Sequence, residues 1–121
     1  MRRAASISRR SAFATGEPAA VELLQFRFDG GEPGASDATA RIVGVVASGN
    51  LEVLIEPTPE ASACTIDVNT AAVGFGTTWE AVLRDFFERH PLSHVQISIN
   101  DAGATPAIVA LRLDQAVEAL E

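Results

Sequence analysis

The chain has no lysine; its nine basic residues are all arginine. Four of them, Arg2, Arg3, Arg9 and Arg10, lie in the first ten residues with no acid among them. The formal net charge is −7, so the rest of the chain is more acidic than the total suggests. An acidic body argues against a nucleic-acid surface and suits docking onto basic partner surfaces. Cysteine is also scarce. Cys64 stands alone, which excludes an internal disulfide and fits a reducing, cytoplasmic compartment. No apolar run approaches the ~20 residues of a membrane span, so no membrane partner is expected. The arginine-rich start leads into no apolar segment of the kind a secretory signal needs. Repeats and low-complexity tracts are absent. Gly74-Phe75-Gly76 is no phosphate loop, since no lysine and no strand–glycine–helix pattern surrounds it. At 121 residues the chain has room for one domain around one core.

What is present reads in segments. Residues 1–20 combine Arg, Ser, Ala and Gly with few large apolar residues, and the expectation is a disordered, dispensable arm. From residue 21 a domain runs to 121. Leu24, Phe26 and Phe28 alternate with Gln25, Arg27 and Asp29, the period of a half-buried strand. The stretch from Gly30 to Asp37 reads as a loop. Two strands follow over Ala40–Ala47 and Leu51–Glu56, the second ended by Pro57 and Pro59. Cys64, Ile66 and Val68 alternate with polar neighbours as a fourth strand. The period then becomes helical: Trp79, Val82, Leu83, Phe86 and Phe87 share a face. Thr77 with Glu80 has the spacing of a capping box, and Arg89, His90 and Pro91 mark the other end. Val95, Ile97 and Ile99 give a fifth strand. Thr105 then caps a closing helix with Pro106 at its first position and Val109, Leu113, Val117 and Leu120 on one face. The expected fold is α+β: a two-layer sandwich with a mostly antiparallel sheet of about five strands and two helices on one face.

The informative segment is Ala40 to Pro57. Two β-branched runs flank Ser48-Gly49-Asn50, and Gly-Asn at such a place signals a hairpin turn with positive φ. Ser48 falls at the tip, beside a residue with no side chain. A bare hydroxyl there suits covalent attachment better than catalysis, because no base lies near it in sequence. From the residues alone an ordinary turn serine bonding nearby backbone is the first reading, and attachment the second.

Val45 to Pro57 matches the block V-V-x-S-G-[DN]-L-E-V-L-[LI]-E-P, and Asp101 to Gln115 matches D-x-G-A-T-P-x-[VI]-V-x-L-R-L-[ED]-Q. Both blocks, in this order, resemble the acyl carrier (delta) subunits of bacterial malonate decarboxylase. The likeness spans roughly Val21 to the C-terminus. The usual start of that family falls near Val21, so a start codon misplaced upstream explains residues 1–20 equally well. A weaker likeness extends to the acyl carrier subunit of citrate lyase.

The resemblance implies a carrier with no activity of its own. It implies that Ser48 carries 2'-(5''-phosphoribosyl)-3'-dephospho-coenzyme A through a phosphodiester, installed by a dedicated prosthetic-group transferase. Acetyl and malonyl thioesters would then ride on that group between the transferase and decarboxylase subunits. Asn50 replaces the more frequent Asp and removes a charge beside the phosphate. A citrate-lyase-type carrier and an unmodified interaction module are the alternatives.

Other candidates have plainer explanations. His90 and His94 have a metal-like spacing, but Pro91 separates them from a common helical face, so no metal is expected. Cys64 lies on an apolar strand face and reads as a small buried hydrophobe. Glu52 and Glu56 read as a solvated strand face. Asp101 to Pro106 reads as a strand-to-helix loop that turns at Gly103 and is capped by Thr105, with a role in docking partners as a further expectation.

Overall fold

The computed structural model describes residues 7–14, 21–33, 41–43, 50–58 and 62–120. The described elements, in chain order, are β1 (Ile7–Ala14), β2 (Val21–Phe28), β3 (Glu32–Pro33), β4 (Arg41–Val43), β5 (Leu51–Pro57), β6 (Cys64–Thr70), α1 (Gly76–Arg89), β7 (Leu92–Ser93), β8 (Val95–Asp101) and α2 (Pro106–Leu120). Six strands form one sheet in the order β1-β2-β6-β8-β5-β4. Five of its pairings divide four to one: β6 and β8 run parallel, and the rest are antiparallel. The parallel pair follows from α1, since a parallel neighbour needs a crossover long enough to return the chain to the same end.

Period-two alternation decides the faces. Leu24, Phe26 and Phe28 on β2, Cys64, Ile66 and Val68 on β6, Val95, Ile97 and Ile99 on β8, and Leu51, Val53 and Ile55 on β5 are all buried. They form one cluster with Trp79, Leu83, Phe86 and Phe87 of α1 and with Val109, Leu113, Ala116 and Val117 of α2. Both helices therefore cover the same sheet face, as the sequence reading expects. The Phe28 and Phe87 rings stack with centroids 5.0 Å apart, which locks α1 over β2. At the far end of α1, His90 Nε2 and Asp114 Oδ1 lie 3.1 Å apart, and Arg89 reaches the same carboxylate at 3.2 Å. These contacts tie the carboxyl end of α1 to α2.

Three details differ from the sequence reading. Residues 7–14, expected within a disordered arm, form β1 and pair with the whole of β2, from Ile7 opposite Phe28 to Ala14 opposite Val21. The signal is weak in sequence because this pairing uses backbone N–H and C=O groups, which any residue supplies. Within the expected loop from Gly30, Glu32 and Pro33 pair in parallel with Leu92 and Ser93. The Glu32 N–H also bonds the Pro91 carbonyl at 2.7 Å. This approach is so close that a Cβ on Gly31 would lie 2.1 Å from the Leu92 carbonyl oxygen, so glycine is required there. The capping box at Thr77 does not form. Helix α1 starts at Gly76 with Phe75 in the cap position, whose carbonyl accepts the first helical bond from the Trp79 N–H at 2.9 Å and whose side chain has no acceptor to cap with. Of the strand expected over Ala40–Ala47, Arg41–Val43 are described and are strand, and the other residues lie outside the described set.

Candidate functional site

The candidate attachment residue Ser48, with Gly49, lies outside the described residues. The frame on both sides of it is described. Strands β4 and β5 pair antiparallel with Val43 opposite Val53, so Ser48 is equally far along the chain from both ends of that pairing. Asn50, the first described residue after Ser48, has φ +54. This is the left-handed turn conformation that asparagine tolerates better than most residues. Its carbonyl accepts a bond from the Ala102 N–H at 2.8 Å. Leu51 next to it is buried and sits opposite Asp101 in the β5–β8 register.

That bond joins two segments fifty residues apart. Asp101, at the end of β8, is a buried carboxylate with both oxygens engaged. Oδ2 accepts from the Thr70 hydroxyl at 2.7 Å, and Oδ1 accepts from the Ala104 N–H at 2.8 Å. The Asp101 carbonyl also accepts from the Ala71 N–H at 2.9 Å. Gly103 turns the loop at φ +116, a conformation open to glycine. Thr105 then caps α2 through its hydroxyl, which accepts from the Ile108 N–H at 3.3 Å. Each of these bonds fixes the loop that holds Asn50. The positive end of the α2 dipole lies on this side of the molecule as well.

Sequence reasoning identifies Gly103 and Thr105 but misses Asp101 and Thr70. The available signal is a single acid ending an otherwise apolar strand face, in register with a threonine at the end of β6. The remaining candidates fall elsewhere. Among the described residues no cluster of His, Cys, Asp and Glu is arranged to hold a metal ion. His90 packs at the foot of α1, and His94, at φ +60, sits beside Ser93 with Nδ1 2.9 Å from its hydroxyl. Glu52 accepts from Asn100 at 3.3 Å on the sheet face away from the helices. Cys64 is buried, and burial pushes its thiol up to about 12, so it offers no thiolate for acyl transfer.

Residues 38–120 match the family model of the malonate decarboxylase delta subunit. The chain belongs to that family. The match includes Ser48, Asn50 and the whole Asp101–Thr105 loop. The malonate decarboxylase acyl carrier protein of Stenotrophomonas maltophilia (strain R551-3) is 58% identical over 100 residues, covering 83% of this chain and 94% of the relative. Its counterpart from Burkholderia cepacia is 57% identical over 102 residues, covering 84% and 93%. Among solved structures, a chain of a Pseudomonas malonate decarboxylase hetero-tetramer in complex with malonate superposes with TM-score 0.69 at 38% identity, covering 82% of this chain and 98% of that one. The role this family fills is acyl carriage in malonate decarboxylase. No helix among the described residues is long and apolar enough to cross a membrane.

Proposed function

We propose that Ser48 is the attachment point of a phosphodiester-linked 2'-(5''-phosphoribosyl)-3'-dephospho-coenzyme A group, and that the chain carries acetyl and malonyl thioesters on it between transferase and decarboxylase subunits in the cytoplasm. When bound, that group supplies the thiol on which an acyl unit is held. Cys64, the chain's own thiol, is buried in the core, which supports a thiol supplied by an attached group. The chain's own residues supply position and performs no bond-making step. Asn50, Ala102 and the Asp101 bonds present the segment that bears Ser48 on a rigid frame. Tethering then keeps an acyl group at high effective concentration near each partner site, without release into solvent.

The observation that carries this reading is the backbone bond from Ala102 to Asn50, which makes the two matched sequence blocks one site. The residues fit the group. The described carboxylates at this end are each held by a donor of the fold: Asp101 by Thr70 and the Ala104 N–H, Glu22 by the Gly74 N–H and Glu52 by Asn100. A dedicated prosthetic-group transferase is the partner that would install it. The test is reconstitution of the complete complex with the wild-type chain and with Ser48→Ala. Malonate-dependent release of carbon dioxide is expected from the first and lost from the second, with unchanged co-purification of the subunits. Full activity of the alanine complex would overturn the proposal.

A further inference from the structure

A pocket of about 270 Å³ opens between the amino-terminal ends of α1 and α2. Phe75, Thr78 and Trp79 form one wall, and Gly103, Pro106 and Val109 contribute to the other. We propose that this pocket seats the adenine base of the serine-linked group, with the base stacked on Phe75. The proposal rests on attachment at Ser48 and adds a binding site for one part of the attached group.

Position is the first argument. The pocket shares its Asp101–Ala104 wall with the loop whose Ala102 N–H holds Asn50. Ser48 is two residues from Asn50, a span of at most about 7 Å of extended chain. In the group the attached phosphate leads through the phosphoribosyl sugar to the adenosine ribose, which bears the base at C1' and the pantetheine arm at C5', so the base lies closer to the attachment point than the thiol does. Size is the second argument. The volume is just below the ~300–1,000 Å³ of a site for a whole drug-sized ligand, which leaves room for one ring system and not for an entire coenzyme.

Chemistry is the third. Phe75 is 52% exposed, the highest exposure of any large apolar side chain among the described residues. It is nonetheless held on a defined backbone. Its carbonyl accepts from the Trp79 N–H, and the preceding Gly74, at φ +96, donates its N–H to Glu22 Oε1 at 3.0 Å. An exposed aromatic on a fixed backbone is a stacking platform. Asp101 already accepts from Thr70 and Ala104, and Thr78 is the other polar side chain of the lining, so the walls offer mostly apolar faces. A base with a π-face suits such a site. Seating the base also leaves the thiol end of the arm free to reach partner active sites.

The chain's one tryptophan lies in this pocket and the chain has no tyrosine, so its fluorescence reports on the pocket directly. The experiment compares the full chain loaded and unloaded, with loading verified by intact mass, and Phe75→Ala in both forms. Loading is expected to quench Trp79 emission and shift the Phe75 ring resonances upfield. In Phe75→Ala, emission of the loaded chain should return to that of the unloaded chain. Free adenosine monophosphate should shift the same resonances in the unloaded wild type, and free pantetheine should not. A loaded chain whose Trp79 and Phe75 signals equal those of the unloaded chain overturns the base seat alone. A chain that gains no mass overturns attachment, and the seat with it. Signals that move only when partner subunits are added also overturn the seat, and assign the pocket to a partner side chain.

Discussion

Two buried polar residues set the behaviour of the chain at the scale of single side chains. Asp101 satisfies the Thr70 hydroxyl and the Ala104 N–H at once. Asp101→Ala leaves both donors without that acceptor and should cost about 1–3 kcal/mol in urea unfolding. Asp101→Asn keeps one acceptor oxygen and should cost less. Equal stability of the alanine variant and wild type would show that the loop is held by other bonds. Cys64 offers a pH-dependent test. Its folded pKa is raised to about 12 by burial, while in the unfolded chain it ionises near 9.0. Stability is therefore full below about pH 9. It falls as pH rises toward 12, because the unfolded chain releases a proton that the native chain keeps. The slope should approach about 1.4 kcal/mol per pH unit. With no lysine and no tyrosine, no other side chain of this sequence has an ordinary pKa in that window. Unfolding measured at stepwise pH should show the slope in wild type and a flat profile in Cys64→Ala. A flat wild-type profile would mean that the thiol is not buried as described.

At the scale of elements, α1 is held by its aromatic face. Phe86 is fully buried, and Phe86→Ala should cost about 3–5 kcal/mol. A domain of this size has roughly 5–15 kcal/mol in total, so loading of Ser48 should fall together with stability and not independently of it. An unfolding free energy equal to wild type would contradict the docking of α1. The helices and central strands were legible because the side chains that make them also make the core. Leu24-Phe26-Phe28, Ile97-Ile99 and the Trp79-Leu83-Phe86 stripe announce both the period and the buried face. Elements held by backbone were not legible. β1, the β3–β7 pair and the early start of α1 depend on N–H and C=O groups that leave no residue-specific trace. The parallel β6–β8 pairing depends on strand order, which alternation alone does not encode. Gly31 illustrates the limit: it reads as a loop glycine, yet it is required by the passing Leu92 carbonyl.

At the scale of the whole molecule, the described residues form a two-layer frame, one sheet with two helices on one face. Of the turn read from Ser48-Gly49-Asn50 only Asn50 lies among the described residues, and it has the positive φ that the reading requires. The partner loop was legible only as a strand-to-helix connection. Its bond to Asn50 comes from strand register and not from any local pattern. Every buried hydrophobic residue of the described core lies between Leu24 and Val117. Removal of residues 1–20 should therefore keep cooperative unfolding and Ser48 loading, although it uncovers the edge of β2. Loss of either in the truncated chain would give β1 an essential part in the fold. The most direct test of the central claim is intact mass and peptide mapping of the full chain made together with its decarboxylase subunits and the modifying transferase. The account predicts one added phosphoribosyl-dephospho-coenzyme A mass, mapped to the peptide containing Ser48 and absent from Ser48→Ala. The same added mass on the alanine chain, or an active complex whose wild-type carrier has no added mass, would contradict it.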